Sequence, residues 1–166
     1  RDLPDIKLIA LLRDPVERAY SQFQHETARG FEDLGFAEAI DRESERLAGE
    51  HERLLADPAY RSFEHQHHSY QARGRYADQI LAWHAVLPPE RLLILHMESF
   101  FAAPEEGFAR VLRFLGLPSW EPPAFERYNA RRYSSMAPEV RRRLEETFDE
   151  PNRRLAELTD VRFDRP

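Results

Sequence analysis

The stretch Lys7-Leu-Ile-Ala-Leu-Leu-Arg-Asp-Pro-Val-Glu-Arg-Ala-Tyr-Ser21 decides the fold of this chain, because it combines a strand pattern with the start of a helix. Its apolar run over residues 8–12 is typical of a strand that is covered on both faces, as in a parallel sheet. Asp14 is a favourable N-cap, Pro15 suits the first helical position, and Glu17 completes an Asp-x-x-Glu capping box. The sequence therefore predicts a buried strand that runs directly into a capped helix.

Three polar side chains follow this strand at positions that suit anion binding. Arg13 lies at the predicted carboxyl end of the strand, which is where open α/β sheets bind ligands. The N-terminal amides of a helix and an arginine together make an anion site. Ser21 lies two turns into the helix, and His25 follows one turn later on the same face. The pattern predicts that a guanidinium, a hydroxyl and an imidazole serve one region.

Each of these residues also has a purely structural interpretation. Arg13 can pair with Asp14 or Glu17, and Ser21 can be a neutral helix residue. His25 can be a partly buried histidine at a helix end, although imidazole is also the natural proton carrier near neutral pH. From the residues alone, both interpretations stay open at all three positions.

The segment Leu-Arg-Asp-Pro-Val-Glu-Arg-Ala-Tyr-Ser over residues 12–21 resembles the 3′-phosphate-binding motif of sulfotransferases that use 3′-phosphoadenosine-5′-phosphosulfate (PAPS). This resemblance implies that Arg13 and Ser21 grip the 3′-phosphate of the nucleotide. The likeness is closest to the sulfotransferase domain of heparan sulfate N-deacetylase/N-sulfotransferases and their bacterial relatives. In that branch, the segment that residues 18–25 resemble carries a functionally important histidine, which implies a catalytic role for His25.

Three later segments resemble the same family in the same order along the chain. Residues 74–83 resemble its Gly-x-Tyr…Trp helix, and residues 91–98 resemble the next strand and turn. Residues 130–136 resemble a late basic loop that closes over the cofactor. The resemblance thus covers nearly the whole chain. The residues that its last part assigns to the cofactor are Arg131, Arg132 and Tyr133.

The sequence has no counterpart of the phosphate-binding loop with which this family begins. No Gly-x-x-x-x-Gly-Lys motif is present, and Lys7 is the only lysine among 24 basic residues. The catalytic lysine of that loop, and the acidic residue that often follows it as a base, therefore have no match. We expect residues 1–166 to form the C-terminal two-thirds of one sulfotransferase domain that lacks its first βα unit.

The resemblance implies an α/β, P-loop-like, three-layer sulfotransferase fold with a parallel sheet and many helices. The patterns along the chain agree with a helix-rich α/β class. Strands are predicted over residues 6–12 and 91–97. Helices are predicted over residues 15–29, 36–56 with an interruption at Gly49, 76–87, 104–115 and 138–158. Loops are predicted over residues 57–73 and 117–137.

The predicted loop 57–73 carries a histidine cluster, His-x-His-His over residues 65–68. Such a cluster can bind zinc, but it lacks cysteine and a carboxylate at ligand spacing, so no metal site is predicted. The loop is expected to line the acceptor side of a cleft or to be polar surface. The residues that we single out for acceptor contact are His67, Arg73 and Tyr76, for which the alternative is packing inside the fold.

Composition limits the class of protein. The chain has 166 residues, of which 42% are hydrophobic, and this suits one globular domain. It has no cysteine, so disulfides and thiolate metal sites are excluded. A net charge of −6 argues against general nucleic-acid binding. No apolar run is long enough to span a membrane and no signal peptide is visible, so we expect a cytoplasmic protein without a membrane partner.

The function that these observations favour is transfer of a sulfuryl group from PAPS to a hydroxyl or amine, with release of 3′,5′-adenosine diphosphate. No metal is expected to take part, and the favoured acceptor is a carbohydrate in a bacterial protein. The alternative is a catalytically incomplete fragment that binds a nucleotide or a partner. A P-loop kinase-like fragment is disfavoured by the pairing of Arg13 with Ser21. The acceptor's identity and the oligomeric state stay open.

Overall fold

The computed structural model describes residues 5–125 and 135–163, which form a helix-rich α/β structure with a small parallel sheet, as the sequence predicts. The helices and strands of the described residues follow one another in this order: β1 Leu8–Leu12, α1 Pro15–Ala28, α2 Phe36–Arg46, α3 Glu50–Ala56, α4 Phe63–His67, α5 Tyr76–His84, β2 Leu92–His96, α6 Met97–Ala102, α7 Pro104–Leu115 and α8 Pro138–Leu158. Short 3-10 turns precede α5 and β2, at Ala72–Gly74 and Pro89–Arg91.

The described residues divide into two compact units. The sheet unit consists of residues 5–14, 76–125 and 150–163, and the helical unit consists of residues 15–75 and 135–149. Helix α8 therefore contributes residues to both units.

The sheet unit is built on β1 and β2, which pair in parallel with Leu8 opposite Leu92 and Leu12 opposite His96. Helix α5 and the end of α8 pack against this sheet. Its core consists of Tyr76, Ala77, Ile80, Leu155 and Val161, with Leu12, Leu92, Ile94 and Phe163 partly buried around them.

Strand β1 differs from the strand that its apolar run predicts. Ile9 and Leu11 are 43% and 42% exposed, so one face of β1 is open in the part of the chain that the structure describes. In β2, by contrast, Leu93 and Leu95 are buried. The apolar run correctly indicates a strand of a parallel sheet, but no layer of described residues covers its second face.

The helical unit packs α1, α2 and the first part of α8 around aromatic and branched side chains. The buried members of this core are Val16, Ala19, Phe23, Ala39, Ile40, Tyr70, Met136, Val140, Leu144 and Phe148. Gly74 closes this core, because a Cβ at this position would lie 2.5 Å from Cε1 of Phe148. Any side chain at this position would displace the Phe148 ring or the turn that carries Gly74.

The predicted helix boundaries agree with the structure where a glycine marks the end of a helix. Gly49 separates α2 from α3 and adopts a left-handed conformation with φ 75°, and Gly116 ends α7 with φ 77°. The predicted loop 57–73 instead contains α4, whose N-cap Ser62 accepts the His65 N–H at 2.9 Å. Among the described residues, no helix has the length and apolar character needed to cross a bilayer.

Candidate active site

The carboxyl edge of the sheet unit carries the arginine that the sequence singles out. Arg13 and Asp14 follow β1, and Glu98 follows β2. The strands are parallel, so their carboxyl ends lie at the same edge, where ligands bind in open α/β sheets. Arg13 is partly buried at this edge. The prediction that Arg13 ends the first strand is confirmed.

The peptide group that joins Arg13 to Asp14 is held from both sides. The Tyr76 hydroxyl donates to the carbonyl oxygen of Arg13 at 2.9 Å. The N–H of Asp14 donates to Oε1 of Glu98 at 3.2 Å. The carbonyl and the N–H belong to the same peptide group, so two distant side chains fix its orientation.

Tyr76 can hold this position because its ring is part of the sheet-unit core. The residue is 7% exposed, and its ring centroid lies 6.0 Å from that of Phe163. We predict from the sequence that Tyr76 contacts an acceptor. The structure shows its hydroxyl bonded to the backbone of Arg13, and contact with an acceptor stays a prediction.

Glu98 is in turn held by the last residue of β2. Nε2 of His96 lies 3.1 Å from Oε2 of Glu98, and its Nδ1 lies 2.7 Å from the Ser99 hydroxyl oxygen. The His96 ring packs 5.1 Å from the Phe163 ring. We do not identify His96 or Glu98 as site residues from the sequence. The sequence signal that could have identified them is their position at the carboxyl end of the second predicted strand.

The only lysine lies at the other end of β1. Lys7 precedes the strand, and its Nζ donates to the carbonyl oxygen of Phe114 at 2.6 Å. The six steps along the chain from Lys7 to Arg13 span about 20 Å in extended conformation. Lys7 therefore lies far from the carboxyl edge of the sheet.

Ser21 and His25 lie on α1 in the helical unit. Ser21 is partly buried in the second turn, and His25 is exposed in the last turn. They are four residues apart and so lie on one face of the helix. His25 is open to solvent.

Two arginines, Arg18 of α1 and Arg141 of α8, form hydrogen bonds inside the helical unit. Arg18 donates to Oε1 of Gln22 at 2.8 Å and also to the Tyr70 carbonyl oxygen. Arg141 donates to Oε1 of Glu17 at 2.5 Å. The Glu17 pair connects the first turn of α1 to α8, and the Arg18 bonds connect α1 to the segment before the Ala72–Gly74 turn.

The structure places two of the predicted acceptor contacts among neighbours within the helical unit. His67 is 5% exposed, with its Nδ1 2.8 Å from Oε2 of Glu26. Its ring lies 4.5 Å from that of Phe31 and 4.4 Å from that of Phe63. Arg73 donates to the His65 carbonyl oxygen at 3.1 Å.

The carboxylate of Glu32 is buried in the helical unit and accepts hydrogen bonds from Arg46 and Tyr70. Arg46 forms two hydrogen bonds to it, at 2.6 and 3.1 Å, and the Tyr70 hydroxyl donates to it at 2.8 Å. Burial alone would raise the pKa of Glu32. The bonds from Arg46, the Leu34 N–H and Tyr70 outweigh burial and lower that pKa to about 2. This carboxylate ties the loop after α1 to α2 and to Tyr70.

A second buried carboxylate, Glu43, holds the turn before α5. It accepts the N–H groups of Gln71 at 2.6 Å and Ala72 at 2.7 Å. Burial raises the pKa of Glu43, and the two backbone bonds oppose this rise. Glu43 thereby fixes the segment that leads to Gly74.

The remaining predicted cofactor residues, Arg131, Arg132 and Tyr133, lie outside the described residues. Within residues 5–125 and 135–163, no three histidine or acidic side chains group as a metal site would require.

Comparisons with known proteins identify the family. The model of the sulfotransferase domain matches residues 2–135. The crystal structure of a sulfotransferase from Alicyclobacillus acidocaldarius is 26% identical in sequence and superposes with a TM-score of 0.75, over 96% of this chain and 57% of that one. The chain thus spans a little over half the length of that structure. No curated protein matches. Because the domain model covers most of the chain and the similar structure covers nearly all of it, this chain belongs to the sulfotransferase family.

Proposed function

We propose that this chain acts in the transfer of a sulfuryl group from PAPS to a hydroxyl or amine of a carbohydrate. The observation that carries this proposal is Arg13 at the carboxyl edge of a parallel sheet, with its backbone anchored by Tyr76 and Glu98. Family membership supports sulfuryl transfer in general. PAPS as the donor and a carbohydrate as the acceptor are what the proposal adds to this general activity.

Arg13 and Ser21 are the residues that we assign to the 3′-phosphate of the donor. A guanidinium stays charged at any working pH and can give two parallel hydrogen bonds to phosphate oxygens. A serine hydroxyl adds a neutral donor. Their sequence match to the family motif supports this pairing. On the same ground we assign Arg131, Arg132 and Tyr133 to the donor phosphates.

His25 is the proposed proton acceptor. Sulfuryl transfer breaks the bond between sulfur and the phosphate oxygen and forms one between sulfur and the acceptor oxygen or nitrogen. The acceptor loses its proton in the same reaction, so a base must take that proton. His25 is exposed on α1, on the same helix face as Ser21. Imidazole is the side chain most often used for proton transfer near neutral pH, which suits this role.

Of the three residues predicted to contact the acceptor, we propose only Arg73 for direct contact. Arg73 is partly buried and stays a candidate for binding a polar acceptor group. The Tyr76 hydroxyl is bonded to the backbone of Arg13 and the His67 ring to the buried Glu26, and we assign Tyr76 and His67 supporting roles.

A second candidate function follows from Lys7. Lys7 precedes β1, and its ammonium donates to the carbonyl oxygen of Phe114. Because Lys7 is the only lysine of the sequence, no lysine can neutralise charge at the carboxyl edge. A polypeptide of these 166 residues would then bind the nucleotide without transferring sulfate. Binding and transfer must therefore be measured separately.

Retention on immobilised 3′,5′-adenosine diphosphate tests the proposed function. We expect the chain to be retained, to elute with free 3′,5′-adenosine diphosphate, and to resist elution by the same concentration of 5′-AMP, which lacks the 3′-phosphate. Elution by both nucleotides alike would show that the 3′-phosphate is not recognised. Absence of retention would contradict both candidate functions.

A further inference from the structure

We propose that Tyr76 and Glu98 are positioning residues for Arg13, which they hold by clamping the peptide group between Arg13 and Asp14. This inference rests on the proposed function, since it concerns the arginine assigned to the 3′-phosphate. It extends the site from the residue that would touch the ligand to two residues that would not.

The clamp uses opposite ends of one peptide group. The Tyr76 hydroxyl donates to its carbonyl oxygen at 2.9 Å, and Oε1 of Glu98 accepts its N–H at 3.2 Å. Rotation of this group would require a change in ψ of Arg13 and φ of Asp14, and it would break both bonds. The Arg13 backbone is therefore restrained just beyond the last residue of β1.

Both clamping side chains are restrained themselves. The Tyr76 ring lies in the sheet-unit core beside Phe163, and a tyrosine has only two side-chain torsions to order. Glu98 is more exposed, but its second carboxylate oxygen lies 3.1 Å from Nε2 of His96. A group held by restrained partners loses less conformational freedom when a ligand binds, and this raises affinity without adding a contact to the ligand.

The clamp uses the first residue of α5. Glu43 fixes the preceding residues 71 and 72 in the helical unit, and Tyr76 begins the next segment in the sheet unit. The hydroxyl then reaches a carbonyl oxygen 63 positions earlier in the chain. A phenylalanine would fill the same space in the core and lack this bond, which makes Tyr76→Phe the variant to test.

The test is a double-mutant cycle on nucleotide binding, measured by calorimetry on the full chain. Tyr76→Phe should weaken binding of 3′,5′-adenosine diphosphate about threefold to tenfold, the range of one lost hydrogen bond. In an Arg13→Ala background it should have no further effect, because no guanidinium remains to be positioned. Glu98→Gln keeps an acceptor oxygen and should cost less than Glu98→Ala. Tyr60→Phe removes a hydroxyl that donates to Glu50 at 2.8 Å and serves as the matched control.

A purely structural role for Tyr76 would give a different pattern. Its loss would then lower affinity equally in the presence and absence of Arg13, and this result would overturn the proposal. Thermal unfolding of each variant shows whether the fold persists.

The hydrogen-exchange rate of the Asp14 amide measures how firmly the clamp holds this peptide group, and the measurement needs no nucleotide. We expect this amide to exchange about threefold to tenfold faster in Glu98→Ala and in Tyr76→Phe than in the unaltered chain. Unchanged exchange in both variants would overturn the clamp. Failure of the unaltered chain to bind the nucleotide would instead overturn the proposed function, so the two failures are distinguishable.

Discussion

The Tyr76 hydroxyl donates a hydrogen bond to the carbonyl oxygen of Arg13, 63 positions earlier in the chain. This bond joins the first residue of α5 to the first residue after β1. It shows how a helix start and a strand end together define the carboxyl edge of the sheet. The backbone of the arginine at that edge is thereby held in place.

The stability of the helical unit should depend on pH through Glu32. Its folded pKa of about 2 lies below the ordinary value of 4.5, so its contribution is complete above pH 4.5 and is lost as the pH falls toward 2. Urea unfolding should show that Glu32→Gln costs up to roughly 3 kcal/mol near neutral pH, with a smaller difference from the unaltered chain in acid.

Glu38→Gln is the control for that measurement, because Glu38 is an exposed glutamate close to Glu32 in sequence. It should change the free energy of unfolding little at any pH. A cost of Glu32→Gln that stays the same from neutral pH into acid would contradict the role given to Arg46 and Tyr70.

Glu43→Gln should destabilise the chain by about 1–3 kcal/mol, the cost of leaving a buried backbone donor without a partner. The carboxylate accepts two N–H groups, from Gln71 and Ala72, with one oxygen each. A glutamine has a single carbonyl oxygen, so its NH₂ group would face one of these donors. Denaturant unfolding measures the loss.

The neighbouring Glu45→Gln is the matched control, because Glu45 is exposed and pairs only with Arg42 among the ion pairs of the described residues. An exposed pair of this kind is worth little, so the free energy of unfolding should hardly change. Equal effects of the two substitutions would show that Glu43 does not hold the turn.

The 166-residue chain should bind the donor nucleotide without transferring sulfate. The developing charge on the transferring group needs a nearby cation, and Lys7 lies about 20 Å from the carboxyl edge. A general base, the role proposed for His25, would by itself supply roughly 10²–10⁴-fold acceleration. Incubation with radiolabelled PAPS and a panel of sugar amines and alcohols checks this. Turnover well above that of His25→Ala would mean that the chain neutralises the charge in another way.

The parts of the fold that could be predicted are those with local signals. The strand and helix around Arg13 follow from an apolar run and favourable helix-start residues, and Gly49 and Gly116 mark helix ends by their left-handed backbone. Helices α4 and α6 have five and six residues, which is too short for a 3.6-residue period to show.

The parts that could not be predicted are contacts between distant positions. The burial of Glu32 and Glu43 depends on partners from other segments, and charged residues are otherwise expected at the surface. The bond from Tyr76 to Arg13 likewise leaves no periodic trace in the sequence. Tyr76 and Arg13 could therefore each be singled out from the sequence, while the bond between them could not be predicted.

The most direct test of the central claim is calorimetry of 3′,5′-adenosine diphosphate binding to the unaltered chain and to Arg13→Ala. We expect the unaltered chain to bind the nucleotide and the variant to lose about 2–5 kcal/mol of binding free energy, as for removal of one partner of a desolvated charge pair. Arg113→Ala removes an exposed arginine of the same unit and should leave the affinity unchanged. An Arg13→Ala variant that binds as tightly as the unaltered chain would contradict the account.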